Sequence, residues 1–133
     1  MPSFILACLL GRSVKLTPGW QKRDFIFIDD VIRALLKTVE FKNRAMGNIV
    51  NIGSGKELSL REVARIILSE LGNPIKPKWG AIDYRENELF KCQADISKAK
   101  YLLHWHPEVN LREGISKTIN WFRENSGKFE HYD

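Results

Sequence analysis

Cysteine is scarce in this sequence of 133 residues, and long apolar runs are absent from it. Cys8 and Cys92 are far apart, so neither a disulfide framework nor a zinc site is indicated, and a reducing compartment, the cytoplasm, is expected. No window approaches the roughly 18 apolar residues of a membrane span. The apolar run 4–10 has no basic residue before it and no small-residue cleavage site after it, so we interpret it as a helix rather than as a signal peptide.

A concentration of charge is also missing. Lys and Arg number 21 against 16 Asp and Glu, which gives a formal net charge of +5, but the basic residues are spread along the whole chain. A nucleic-acid-binding surface requires a basic cluster and is therefore not indicated. A mildly basic groove for a phosphorylated small molecule explains the excess equally well.

The composition, with 44% hydrophobic and 28% charged residues, excludes a disordered chain. A chain of this length buries roughly two thirds of its unfolded surface and suits one domain. It is short for a complete enzyme on a nucleotide-binding sheet, because each strand–helix unit takes about 30 residues.

Strand and helix patterns alternate along the chain, which predicts an α/β fold. The aromatic and β-branched run 24–28 and the run 48–52 predict strands, with shorter strands at 13–17 and 75–79. Helices are predicted at 3–10, after Asp30, from a capping box at Ser59 to Gly72, after Asp95, and after Asn110.

Two adjacent carboxylates, Asp29 and Asp30, stand where the strand 24–28 is expected to give way to a helix. Carboxylates at this position accept hydrogen bonds from the free N–H groups of the first turn and complement the helix dipole. A metal site or an acid–base pair is the alternative interpretation.

Other motifs with known chemistry are incomplete. Gly53-Ser54-Gly55 lies between a strand and a helix, but the third glycine of a dinucleotide-binding turn is replaced by Leu58, so a structural turn is predicted. The run His104-Trp105-His106 lacks the further ligands of a metal site and ends at a proline, which favours a turn between helices packed by its tryptophan. No Tyr-x-x-x-Lys pair is present.

Two arginines remain as candidate binding residues. Arg23 stands at the mouth of a predicted strand, and Arg85 lies in a polar loop. Because a guanidinium offers a planar fork of donors that matches phosphate oxygens, two of them from separate loops can clamp a pyrophosphate. The alternative is that both are solvated or paired with carboxylates.

Several segments occur together in a characteristic order: Arg23-Asp24-Phe25-Ile26-Phe27-Ile28-Asp29-Asp30-Val31, Asn51-Ile52-Gly53-Ser54-Gly55, Ser59-Leu60-Arg61-Glu62, Arg85-x-x-Glu88, Ala94-Asp95-Ile96-Ser97-Lys98-Ala99 and Leu102-Leu103-x-Trp105-x-Pro107. With them the chain resembles the C-terminal, substrate-binding portion of an extended short-chain dehydrogenase/reductase, a Rossmann-like fold. In particular it is similar to the NAD-dependent sugar-nucleotide epimerases and dehydratases.

The resemblance implies roles for individual residues. Arg23 and Arg85 would approach the diphosphate of a nucleoside diphosphate sugar, and Glu88 would hold sugar or ribose hydroxyls. Glu88 stands where the family has Asp, after Glu86-Asn87 in place of Pro-Gly, so the reach of its carboxylate differs from the family pattern. A further set of residues would lie along the nucleotide base, namely Val14, Lys15 and Leu16.

The resemblance also implies what this chain does not supply. The family's glycine-rich NAD turn and Tyr-x-x-x-Lys pair have no match here, so we expect no cofactor bound by this chain alone, NAD(P) in the full-length family, and no activity without an N-terminal NAD-binding part. Residues 1–127 would form the substrate-binding portion and 128–133 a frayed tail. The expected partner is that NAD-binding part, or a second copy through exposed apolar strands. A stand-alone nucleotide-sugar-binding or protein-interaction module is the alternative.

Overall fold

A computed structural model describes residues 1–129, and the end of the predicted tail, 130–133, lies outside the described residues. The fold is α/β, as predicted. Its elements in chain order are α1 (Pro2–Leu9), β1 (Lys15–Leu16), β2 (Lys22–Asp24), α2 (Ile28–Glu40), α3 (Lys42–Ala45), β3 (Glu57–Ser59), α4 (Leu60–Glu70), β4 (Lys78–Trp79), α5 (Ser97–Leu103), α6 (Leu111–Glu124) and a 3₁₀ turn (Ser126–Phe129).

The chain divides into two compact units that are interleaved in sequence. The first unit contains residues 1–20, 60–88 and 112 onward, and the second contains residues 21–59 and 89–111. Each unit has its own two-stranded sheet, which is parallel between β1 and β4 in the first unit and antiparallel between β2 and β3 in the second.

The core of the first unit is supplied mainly by one face each of α1, α4 and α6. The buried apolar residues are Ile5, Leu6, Cys8, Val63, Ala64, Ile67, Ile75, Ile115, Ile119 and Phe122. The residues that α4 and α6 contribute recur at helical spacing, namely Val63, Ala64, Ile67, Ile115, Ile119 and Phe122. The predicted ends are confirmed, since α1 and α4 are each followed by a glycine with positive φ.

The core of the second unit is built around α5 and the loop after it. Ala34, Ile96, Ala99, Leu103 and Trp105 form one buried cluster. The indole Nε1 of Trp105 donates to the backbone oxygen of Asp30 at 3.1 Å, which satisfies its only polar atom. The prediction that the His104–His106 segment is a turn packed by its tryptophan is therefore confirmed.

Two predicted strands of the second unit are wrong. The strand expected at 24–28 ends at Asp24, and α2 already begins at Ile28. The segment 48–52 forms no strand among the described residues. Both segments have strand-forming side chains, but a strand also requires a neighbouring backbone to pair with, and only β3 pairs with β2 in this unit.

The helix α2 is amphipathic, as its sequence pattern predicts, but its apolar side faces solvent. Its buried residues are Asp30 and Ala34. Five large apolar side chains on it are about half exposed or more: Ile28, Ile32, Leu35, Leu36 and Val39. Within residues 1–129 no helix is long and apolar enough to cross a membrane.

Candidate functional site

The predicted base-binding residues lie on or beside β1 in the first unit. Lys78 N–H donates to the Val14 carbonyl at 2.9 Å, and Ile82 N–H donates to the Leu16 carbonyl at 3.3 Å. Leu16 is in register with Trp79, whereas Lys15 is exposed and in register with Lys78. Because side chains alternate along a strand, Leu16 and Trp79 share one face of the sheet and Lys15 occupies the other. The three predicted residues therefore do not present one common surface.

Arg85 and Glu88 lie together in a turn of the first unit. The Glu88 N–H donates to the Arg85 carbonyl at 3.1 Å, so the segment 85–88 folds back on itself. Arg85 is exposed, and no carboxylate of the described residues forms an ion pair with it. The preceding residue, Tyr84, is held in place because its hydroxyl accepts the Trp20 N–H at 2.9 Å. The turn thus exposes the Arg85 guanidinium to solvent on a segment that a hydrogen bond holds in place.

An arginine sandwiched between two indole rings lies beside this turn in the first unit. The Arg61 guanidinium carbon is 4.5 Å from the centre of the Trp20 ring and 4.7 Å from that of Trp79. The Arg61 Nε donates to the Pro18 carbonyl at 2.6 Å, and its backbone N–H donates to Gly19 at 3.1 Å. A Cβ on Gly19 would lie 2.4 Å from the Trp79 ring. Only glycine therefore permits this stack.

Arg23 belongs to the second unit, in the middle of β2. Its Nη1 donates to its neighbour's carbonyl, Lys22 O, at 2.8 Å and to Leu89 O at 2.5 Å. The Lys22 N–H donates to Phe90 O at 2.7 Å, so the segment 89–90 runs beside the strand. These contacts hold the half-buried guanidinium by neutral backbone oxygens.

Asp24 is the polar centre of the second unit. Its carboxylate accepts the backbone N–H groups of Ser54 at 2.7 Å, Gly55 at 2.9 Å and Ala94 at 3.2 Å. The Ser54 hydroxyl donates to the same carboxylate at 2.5 Å. A Cβ on Gly53 would lie 2.8 Å from this carboxylate and 2.5 Å from the Ala94 side chain. Asp24 thereby fixes the strand that carries Arg23 to two distant segments.

The turn Gly53-Ser54-Gly55 does not fit the diphosphate of NAD. A phosphate-binding turn offers its backbone N–H groups to the ligand, but here the N–H groups of Ser54 and Gly55 are taken by Asp24. The turn is structural, as predicted, but it leads into β3 instead of joining a strand to a helix, and no cofactor chemistry is assigned to it.

Asp29 and Asp30 are adjacent in sequence but lie in different environments. Asp29 is exposed, whereas Asp30 is 1% exposed and accepts the N–H groups of Glu108 and Val109 at 3.1–3.3 Å. Arg33 forms an ion pair with Asp30. The residues that the structure describes include no group of three potential metal ligands. Asp30 therefore has a structural role, and it fastens the loop before α6.

Asp95 and Cys8 have displaced pKa values. Hydrogen bonds from the Ser97 side chain and backbone lower the pKa of Asp95, whose Oδ1 accepts the Ser97 N–H at 2.9 Å at the start of α5. Burial raises the pKa of the Cys8 thiol to about 11. The N-cap of α5 is Ile96 rather than the predicted Asp95, whose carboxylate bonds the first helical N–H from one residue earlier, and Cys8 is a core residue.

Sequence reasoning missed two arrangements. The first is the set of hydrogen bonds that Asp24 accepts, and the second is the stack of Trp20 on Arg61. The signal for the first was an acidic residue at the start of the aromatic and β-branched run 24–28. For the stack it was a Gly-Trp pair between two predicted strands, although the partners Arg61 and Trp79 are distant in sequence.

Comparisons with known proteins point to one group of enzymes. The pattern of the GDP-mannose 4,6 dehydratase family matches residues 1–118. A UDP-glucuronate 4-epimerase of Thermodesulfobacterium geofontis is 35% identical over 80% of this chain and 32% of its own length. A UDP-glucose 4-epimerase of Mycolicibacterium smegmatis is 35% identical over 92% of this chain and 38% of its own length.

Solved structures agree. An epimerase from Methanothermobacter thermautotrophicus matches 98% of this chain and 39% of its own with a TM-score of 0.90 at 29% identity. The UDP-glucuronic acid 4-epimerase of Bacillus cereus, in complex with UDP-glucuronic acid and NAD, matches 92% of this chain and 38% of its own with a TM-score of 0.83 at 27% identity. The chain thus spans between about a third and two fifths of these relatives.

Proposed function

The chain belongs to the GDP-mannose 4,6 dehydratase family of NAD-dependent nucleotide-sugar epimerases and dehydratases, and on that premise we propose that it forms the substrate-binding portion of such an enzyme. The observation that carries the proposal is the combination of a match over residues 1–118 with coverage of only a third or so of each relative. The proposed ligand is a nucleoside diphosphate sugar.

Arg85 is proposed to bind the diphosphate. Its guanidinium is exposed on a fastened turn and lacks an ion pair within the described part of the chain. Charge-assisted hydrogen bonds from such a planar fork are the strong bonds that phosphate oxygens accept. Arg23, which its backbone contacts hold in place in the second unit, is likewise proposed as a phosphate-binding residue.

The remaining contacts proposed for the ligand come from the first unit. Glu88 would accept hydrogen bonds from sugar or ribose hydroxyls, because a carboxylate offers only acceptors. Val14, Lys15 and Leu16 would lie along the nucleotide base. Since Lys15 occupies the opposite face of β1 from its two neighbours, we expect the apolar pair to contribute more to base binding.

Catalysis is proposed to require an NAD-binding part in addition to these residues. The Gly53–Gly55 turn cannot hold a diphosphate while Asp24 occupies its N–H groups. The exposed apolar side of α2 is the surface on which we expect that part to pack. Ile28, Ile32, Leu35, Leu36 and Val39 recur at helical spacing, the pattern of a helix face that packs against another element.

A stand-alone binding module, which would use the same arginines but serve no NAD-binding part, is the second candidate. Self-association is the corresponding alternative for the apolar side of α2. Sedimentation velocity distinguishes a second copy from an NAD-binding part as the partner of this surface. If the chain self-associates through α2, the double variant Leu35→Glu/Val39→Glu should be monomeric. A wild-type chain that is already monomeric excludes a second copy as the partner.

Titration of the chain with UDP-glucose tests the proposal. Arg85→Ala and Arg23→Ala should each weaken binding by about tenfold to a hundredfold, from the roughly 1.5–3 kcal/mol of a hydrogen bond to a charged group. The matched control is Arg65→Ala, which removes an exposed guanidinium from α4 and should leave the affinity unchanged. Epimerisation or dehydration by the unassisted chain would refute the requirement for an NAD-binding part.

A further inference from the structure

Trp20, in the first unit, has features of a ligand-binding surface rather than of a core residue. Trp20 is 58% exposed although it is a large aromatic side chain in a loop. Its ring is nevertheless held, because one face packs on the Arg61 guanidinium and its backbone N–H donates to the Tyr84 hydroxyl at 2.9 Å. A rigid aromatic ring with an open surface costs little ordering entropy when a second ring stacks on it.

The stack beneath Trp20 is itself rigid. Arg61 is held on the loop 18–19 by two hydrogen bonds, and its guanidinium rests on Trp79, which belongs to β4. The close approach of Trp79 to Gly19 leaves no space for any side chain at that position. Three planar groups therefore form an ordered column from the sheet to the loop surface, and Trp20 is its outer layer.

The column is attached to the proposed ligand-binding residues of the same unit. Trp79 is in register with Leu16 of β1, and Tyr84, which accepts the Trp20 N–H, immediately precedes Arg85. The Trp20 backbone is therefore joined directly to the segment that carries Arg85.

We propose that the outer face of the Trp20 indole is a stacking surface for the nucleobase of the bound nucleotide, an inference that rests on the proposed function. Every nucleobase has a planar π face, and stacking on an aromatic side chain contributes affinity without hydrogen-bond selection. The guanidinium beneath Trp20 keeps the ring plane fixed. Trp20 therefore strengthens binding of the base while remaining tolerant of its identity.

Titrations of the full chain with UDP and with inorganic pyrophosphate test the proposal. Trp20→Ala should weaken UDP binding by about tenfold, within the range measured for base stacking, and should leave pyrophosphate binding unchanged. Trp20→Phe retains an aromatic face and should restore most of the loss, whereas Trp20→Leu should not. Trp121→Phe is the matched control, because it also removes an exposed indole, from α6, and should leave UDP binding unchanged. Circular dichroism establishes that each variant is folded.

The outcomes separate the two proposals. Equal UDP affinity in Trp20→Ala and wild type, together with weakened binding in Arg85→Ala, would refute the stacking surface and leave the diphosphate site standing. Equal losses for UDP and pyrophosphate in Trp20→Ala would also refute stacking, since the effect would then not involve the base. Failure of the wild-type chain to bind either probe would refute the proposed function and this inference with it.

Discussion

Neutralisation of the buried carboxylate on α2 should destabilise the second unit strongly. In Asp30→Asn the side chain keeps its volume but loses its charge and one of its two acceptor oxygens. The Glu108 and Val109 N–H groups then compete for one oxygen, and the ion pair with Arg33 is lost.

The magnitude follows from these contacts. Hydrogen bonds to a charged acceptor contribute about 1.5–3 kcal/mol each, and one partly buried N–H group would lose its partner. The Arg33 side chain is 33% exposed, so its ion pair adds no more than about 1 kcal/mol. We therefore expect Asp30→Asn to lower the free energy of unfolding by about 3 kcal/mol, a large share of the roughly 5–15 kcal/mol of an ordinary domain.

Urea unfolding followed by circular dichroism and tryptophan fluorescence measures this loss. Of the four tryptophans, Trp105 reports on this region, because its indole donates to the Asp30 backbone oxygen. Asp29→Asn is the matched control, since it removes an exposed carboxylate from the same helical turn and should cost about 0.5 kcal/mol through the helix dipole. Losses that agree within about 0.5 kcal/mol in the two variants would refute the structural role assigned to Asp30.

Three further outcomes are expected. Ellman's reagent should modify the exposed Cys92 and spare the buried Cys8 until urea is added, and two fast-reacting thiols in the folded chain would contradict the burial. Gly53→Ala should lower the free energy of unfolding by about 2 kcal/mol, because the added methyl group overlaps the Asp24 carboxylate and the Ala94 side chain. An unchanged urea midpoint would contradict this expectation. Because the Asp95 pKa is lowered on folding, its stabilising contribution is present above the ordinary pKa of 3.8 and lost as the pH falls through the folded value. The free energy of unfolding of Asp95→Asn should therefore fall less steeply than that of the wild type as the pH is lowered. The same pH dependence in both chains would argue against the Asp95–Ser97 hydrogen bond.

The helices were predictable because their signals are local. A capping residue, the apolar spacing and a following glycine all lie within one segment, as they do for α4 between Ser59 and Gly72. The strands were not, because the pairing of a strand depends on a backbone distant in sequence. The run 24–28 has strand-forming side chains, yet pairing stops at Asp24, where the partner strand β3 begins at Glu57.

The candidate site shows the same division. The Arg85–Glu88 turn is local, and its residues lie together as their spacing suggests. The stack of Trp20 on Arg61 joins residues about forty positions apart, and no periodicity connects them. The pattern of α2 indicated an apolar side but not what covers it, because amphipathicity does not identify the partner.

The most direct test of the central claim is titration calorimetry of the chain with UDP-glucose, comparing wild type with Arg23→Ala/Arg85→Ala and with the charge-matched Arg65→Ala/Arg123→Ala. We expect saturable binding by the wild type and by the charge-matched control, and none by the variant that lacks both proposed diphosphate ligands. Equal affinity in all three chains, or no binding by the wild type, would contradict a nucleotide-sugar site in this part of the fold.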